Sequence, residues 1–312
     1  MRPHPANPDP KPDPLGIAAR VTRSGIRRYP SQLSEAIANT PSAHARVPLA
    51  LPSHNLPHLG AAWLGHASVL LRVNGMWVLT DPVFSDRIGV KLGPLTLGVS
   101  RRGPVIAPES LPPIDVILLS HAHFDHLDRP TLARLASERT TVVTARHTRS
   151  LVPRGFSRVI EIPWNDRIRV GSLDIAAFAP SHWGARTIWD RHRGFNSYVI
   201  ESPASRVLFA GDTAHTDAFK RVQGADLTIF GIGAYDPWIT KHASPEQVWQ
   251  MHNDASGNFL LPMHHSTFEL SDEPLDEPMS RLLAAAGDHA PRIIGRTLGE
   301  FVSVAGSATP QP

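Results

Sequence analysis

The stretch that most constrains this chain is Ser120-His121-Ala122-His123-Phe124-Asp125-His126-Leu127-Asp128. Three histidines and an aspartate fall between positions 121 and 126, directly after the apolar run Val116-Ile117-Leu118-Leu119. A short, continuous apolar run reads as a buried strand. The polar cluster therefore sits at that strand's C-terminal end, ahead of a helix expected to begin at Pro130-Thr131-Leu132. In open α/β sheets, ligands collect at that end of the strands. Side chains alternate along extended backbone, so His121 and His123 point to one side. Asp125 and His126 follow where the chain turns, and face a second point nearby. Imidazole and carboxylate are ordinary ligands for divalent first-row metals. Two adjacent ligand sets point to two metal ions.

Composition sets the limits around that site. A chain of 312 residues suits one large domain or two small ones, and 41% hydrophobic residues supply a sizeable core. There are no cysteines, which excludes disulfides and thiolate metal sites. Residues 1–50 carry seven Arg or Lys against three acids, which leaves the remainder near neutral. A body without a basic stripe argues against a nucleic-acid partner. No apolar run reaches the roughly eighteen residues of a membrane span, and no apolar stretch follows the N-terminal charges as in a signal peptide. The expected location is the cytoplasm, with peripheral contact at a membrane.

Residues 1–58 read as a Pro-rich, partly disordered arm. Within it, Leu15, Ile17, Val21 and Ile26 alternate with Arg20, Arg23, Arg27 and Arg28, a basic amphipathic segment. Such a segment lies on an anionic membrane or packs on the body. Residues 59–305 form the expected folded domain. Asn74-Gly75 joins two strands as a hairpin, and the second ends in Asp81-Pro82. Residues 84–113, rich in Gly and Pro, read as a long loop covering a site. Later strand ends deliver His182-Trp183, then Gly211-Asp212-Thr213. A carboxylate at Asp212 can bridge two cations about 3.5–4 Å apart. Ser244-Pro245-Glu246 reads as a helix N-cap with His242 just ahead of it. The last strand of the site ends in His264-His265, and spacing leaves the register open by one. A helix near 278–286 and a short strand near 292–294 close the chain.

His121-x-His-x-Asp-His126 after a strand, followed by His182, Asp212 and His264, resembles the signature of the metallo-β-lactamase superfamily. Flanking residues resemble its N-acylphosphatidylethanolamine-hydrolysing phospholipase D branch over about residues 60–270. They include Trp63-Leu64-Gly65-His66-Ala67-Ser68, Leu79-Thr80-Asp81-Pro82, Gly233-Ala234-Tyr235, and Thr267-Phe268. One departure is His265-Ser266, where that branch typically has Trp-Gly. The resemblance implies a four-layer αββα sandwich of the α/β class and a homodimer. It implies one metal on His121, His123 and His182, a second on Asp125, His126 and His264, and Asp212 shared by both. Asp81 and His66 would orient ligands from behind. Asp125 and His242 would act in catalysis, and Tyr235 and Trp183 would contact substrate. Zinc is the expected ion, with manganese and iron as alternatives. The implied reaction is attack of a metal-bound hydroxide on a phosphodiester lipid, releasing an N-acylethanolamine and a phosphatidic acid. Lactone or β-lactam hydrolysis is the competing activity, and a metal-binding regulatory protein without turnover is the competing class.

Overall fold

A computed structural model of the chain describes residue 23 and residues 44–52, 54–93, 95–187 and 189–304. The expected disordered and basic parts of the arm lie outside the described residues, apart from residue 23. Residues 44–52 are part of the folded body. β1 (Arg46–Val47) pairs with β7 (Val105–Ile106), and Leu49 is buried.

The first sheet has seven strands. β2 (Leu59–Trp63), β3 (Val69–Val73) and β4 (Met76–Thr80) form an antiparallel meander. β8 (Val116–Leu119), β9 (Thr141–Thr144) and β10 (Arg158–Glu161) extend it in parallel beyond β4. The second sheet has six strands: β11 (Arg167–Val170), β12 (Leu173–Phe178), β13 (Ser197–Ser202), β14 (Ser205–Phe209), β15 (Leu227–Gly231) and β16 (Phe259–Met263), in that spatial order. β17 (Phe301–Ser303) returns to pair with β2.

Strand alternation explains why there are four layers. Val116 and Leu118 of β8, Val69 and Leu71 of β3, and Val207 and Phe209 of β14 share one core cluster between the sheets. Their neighbours face outward. Ile117 and Leu119 pack in a cluster with Leu132 of helix α1 (Arg129–Leu135). Leu208 packs in another with Val248 and Met251 of α2 (Pro245–Asp254) and Leu282 of α3 (Glu277–Ala286). Each fully buried Val or Leu contributes about 1.5–3 kcal/mol, so the inter-sheet layer, with the largest single cluster, is a principal source of stability. The result is the αββα sandwich, with helices outside both sheets.

Pairing direction decides where the strand ends lie. β2 is antiparallel to β3 and β3 to β4, so β2, β4 and β8 all run the same way. In the second sheet β12, β14, β15 and β16 likewise share one direction. Each sheet therefore gathers the C-terminal ends of those strands at one edge.

Two expectations need correction. Residues 84–113 are not a plain loop: β5 (Arg87–Leu92) and β6 (Leu95–Ser100) form an antiparallel hairpin. Gly89 and Gly98 face each other in it, and a Cβ at Gly89 would stand 2.0 Å from the Leu97 carbonyl oxygen. The strands approach through bare backbone, so apolar alternation does not announce them. Residues 292–294 contribute one isolated bridge, Leu260 to Ile293, and the closing strand is β17 instead.

His252 of α2 is buried away from the strand-end edge. Arg292, which can only donate, bonds its Nε2 at 2.9 Å. The ring proton is therefore on Nδ1, which donates to Thr228 Oγ1 at 2.8 Å. Burial, then the charge of Arg292, lower the His252 pKa from 6.5 to about 3. The folded chain keeps the ring neutral while the unfolded chain protonates it. Its contribution is complete above pH 6.5 and is lost at about 1.4 kcal/mol per unit as pH falls towards 3. Replacing His252 by Gln is expected to flatten that part of the stability profile. Urea unfolding at pH 7 and pH 5 measures it, and parallel profiles for the two proteins would contradict the assignment.

Candidate metal centre

The edge where the strands end gathers most of the residues singled out from the sequence. His66 follows β2, Asp81 follows β4, and His121, His123, Asp125 and His126 follow β8. His182 follows β12, Asp212 follows β14, His242 precedes α2, and His264 follows β16. Three of them turn the chain sharply, with φ of +51° at His66, +32° at Asp81 and +60° at His264. Such conformations cost non-glycine residues of order 1–3 kcal/mol each and concentrate at functional sites.

Two groups form around Asp212. In the first, His123 Nδ1 is 2.7 Å from His121 Nε2 and 3.5 Å from His182 Nε2. The Oδ2 of Asp212 lies 3.8 Å from both His121 Nε2 and His182 Nε2. In the second, Asp125 Oδ2 is 3.0 Å from His66 Nε2, 3.3 Å from His264 Nε2 and 3.6 Å from His126 Nε2. The same Asp212 oxygen is 3.0 Å from His126 Nε2 and 3.4 Å from His264 Nε2. Each group has the spread of donor atoms that holds a metal ion.

The histidine tautomers are set from outside. His126 Nδ1 donates to Asp81 Oδ2 at 2.6 Å, and His182 Nδ1 donates to the Lys241 carbonyl at 3.0 Å. His121 Nδ1 bonds Ser120 Oγ at 2.9 Å, and Ser120 in turn donates to Asp81 at 2.5 Å. With Nδ1–H spent outward, each Nε2 presents a lone pair inward. The Nε2 atoms of His126 and His264 and the Oδ1 of Asp212 are buried without a hydrogen bond, as is His123 Nε2. Buried polar atoms are seldom left so, and orphaned lone pairs sharing one small space fit cations.

The electrostatics agree. Burial opposes ionisation of Asp125 and Asp212, but the surrounding imidazoles, His126 foremost, hold both carboxyls well below the usual range. Burial pushes His121 and His182 down, and takes His123 and His242 to about 4. Against the same burial, the carboxylates raise His126 well above the ordinary value and His264 to about 9, with Asp212 the largest contributor to each. The field that draws protons onto these two buried rings also favours divalent cations, which bind by displacing those protons and freeing the Nε2 lone pairs.

The structure separates the two histidines at the end of β16. His264 enters the cluster, whereas His265 stacks on Trp63 with ring centroids 4.5 Å apart. His66 stands closer than expected, bonded directly to Asp125. His242 Nδ1 is 3.9 Å from Asp212 Oδ2, and its ring lies against those of His182 and His264. Trp183 packs edge-on to His123 at 4.8 Å and is 44% exposed, so it stands at the mouth. Tyr235 does not join the cluster. Its hydroxyl donates to Glu277 at 2.7 Å and Arg281 covers its ring.

Sequence reasoning passed over Arg186. Its Nη1 donates to the carbonyls of Ala122 and Leu127, both at 2.8 Å, and its guanidinium lies 3.9 Å from the Phe124 ring centroid. It ties the two ends of the His121–His126 loop to the segment carrying His182. Its position four residues after His182 was the available signal.

Comparison with known proteins agrees with this geometry. The Beta-lactamase superfamily domain family matches residues 76–265. An uncharacterized protein of Mycobacterium tuberculosis is 33% identical over 274 residues, covering 81% of this chain and 72% of that protein. N-acyl-phosphatidylethanolamine-hydrolyzing phospholipase D 1 of Caenorhabditis elegans is 28% identical over 282 residues, covering 78% of this chain and 76% of the relative. A solved structure of a possible metal-dependent hydrolase from Veillonella parvula superposes with a TM-score of 0.63 at 12% identity, covering 80% of this chain and all of that one. The chain belongs to the metallo-β-lactamase superfamily and is a metal-dependent hydrolase of it. Within that superfamily it falls in the branch that resembles the N-acylphosphatidylethanolamine-hydrolysing phospholipases D. Among the described residues, no helix is long and apolar enough to cross a membrane.

Proposed function

We propose that the chain hydrolyses the phosphodiester of N-acylphosphatidylethanolamine-type lipids in a dinuclear centre. The observation that carries the reading is the set of inward Nε2 lone pairs, fixed by outward Nδ1 hydrogen bonds, around one shared carboxylate. His121, His123 and His182 would hold one ion, Asp125, His126 and His264 the other, and Asp212 both. Divalent ions bound there supply Lewis acidity, acidify a water and neutralise charge on phosphoryl oxygens.

The remaining work falls to the chain. His66 donates to Asp125 and keeps its carboxylate ionised and oriented at the reacting edge. Asp125 accepts the proton of the attacking water. His242, held by its backbone bond to the Trp238 carbonyl, faces the space beside Asp212. There its neutral ring directs a phosphate oxygen, and the departing ethanolamine oxygen takes the proton that Asp125 accepted from the water. Trp183 supplies an apolar wall at the mouth. Likeness to the nematode phospholipase over most of both chains supports the lipid diester as substrate.

The test is a substrate panel with the metal-loaded chain: N-acylphosphatidylethanolamine, a simple aryl phosphodiester, lactones and β-lactams. Diesters are expected to turn over fastest, and His242→Ala to lower kcat about a hundredfold while leaving bound metal unchanged. Faster lactone or β-lactam turnover would overturn the diester in favour of a cyclic ester or amide. Metal uptake without any hydrolysis would mark a binding protein.

A further inference from the structure

We propose that the loop between β12 and β13 docks this chain on an anionic phospholipid surface. The proposal rests on the lipid reading of the site and names the partner that brings substrate to it. The loop leaves the second sheet past His182 and returns at Ser197. Its neck is closed: a Cβ at Gly184 would stand 2.3 Å from the Gly194 carbonyl oxygen, so the two limbs touch. Its outer end is held in shape by Asp190, which accepts from Thr187 N at 2.6 Å and from Arg193 Nε at 2.5 Å.

On that braced end Trp189 is 86% exposed. Tryptophan is seldom left so open in a soluble body, because it has the most apolar surface to hide. At the lipid–water boundary the preference reverses, since indole settles among headgroups. Beside the loop lies a cleft of about 750 Å³, lined by His147, Arg149, Arg154, His192 and Arg193, with Glu161 its one acid. Arg149 and Arg154 are exposed. Three arginines therefore face a single carboxylate in this cleft. An aromatic tip beside a cationic cleft matches an anionic headgroup layer in both polarity and charge. The base of the loop carries Trp183 against His123, so docking turns the mouth of the metal centre towards the bilayer.

The experiment is co-sedimentation of the full-length chain with phosphatidylcholine vesicles, with and without phosphatidylglycerol. Three proteins are compared: the unaltered chain, Trp189→Ser, and the Arg149→Ser/Arg154→Ser pair. All three retain residues 1–43, so differences between them read the loop and cleft alone. The unaltered chain is expected to prefer phosphatidylglycerol vesicles, and less so as salt is raised. The arginine pair should bind roughly twenty-five-fold more weakly, about five-fold for each cation. Trp189→Ser should lose binding by about tenfold or more. Equal binding by all three proteins, or no preference for phosphatidylglycerol, overturns the proposal. A Trp189-dependent dimer in light scattering without vesicle binding also overturns it and gives the loop to a second copy. Hydrolysis of a water-soluble aryl diester separates the two readings. Vesicle binding without diester turnover defeats the proposed reaction alone, and turnover without loop-dependent binding defeats the docking alone.

Discussion

Replacing Asp212 by Ala is expected to abolish hydrolysis and release bound metal from both groups. Its Oδ2 lies within 4 Å of His121, His126, His182 and His264. Without it, the two groups lose their common anion, and six imidazole and carboxylate side chains face one another without compensation. Mutual repulsion of two close cations then goes unopposed. The loss in kcat/KM should be at least about a thousandfold, the scale of removing a principal stabiliser of transition-state charge. His123→Ala is expected to strip the first group and spare metal at the second. Elemental analysis of the purified variants checks both, alongside a far-ultraviolet spectrum to show that the fold persists. Full metal content and activity in Asp212→Ala would contradict the arrangement.

The second large effect is expected at a residue that touches no substrate. Asp81 accepts from Ser120 N at 2.7 Å, from Ser120 Oγ at 2.5 Å and from His126 Nδ1 at 2.6 Å. All three bonds need an acceptor. In Asp81→Asn one oxygen becomes an NH2 donor. If that donor meets His126, the ring must accept on Nδ1, its proton moves to Nε2, and the inward lone pair is lost. If the amide turns the other way, its NH2 meets the Ser120 N–H on the Oδ1 side, so that bond fails and the two donors push the amide away from His126. Either way the affinity for metal should fall about 10–100-fold, with activity following metal occupancy. Titration with zinc separates this from a direct catalytic role, since excess metal should restore most of kcat. An unchanged affinity would show that His126 is oriented by something else.

How much of this was legible in the sequence follows from how local each feature is. The residues after β8 are contiguous, so their spacing alone places four donors at one strand end. Asp212 and His182 are legible for the same reason, as polar residues ending apolar runs. Ser244 could be read as a helix cap because the cap lies within four residues, and the structure shows the full capping box with Gln247. Features built from distant partners were not legible. β17 pairs with β2 across most of the chain, and nothing near residue 301 signals it. The β5–β6 hairpin is set by facing glycines rather than by a side-chain pattern. The Tyr235 hydroxyl goes to Glu277, 42 residues away. The choice between His264 and His265 turns on a backbone φ of +60° at His264, which sends the next ring onto Trp63. A Cβ at Gly233 would stand 2.3 Å from the His264 carbonyl oxygen, so only glycine fits opposite it.

Everything proposed for the chemistry depends on divalent cations seated on those seven side chains. Elemental analysis of the purified chain, paired with calorimetric zinc titration of the metal-stripped protein, reads this directly. Two equivalents per chain are expected, falling below one in Asp212→Ala. A stripped protein that takes up no divalent ion, or that binds equally well without Asp212, would show that the cluster is a hydrogen-bonded polar pocket and no metal centre.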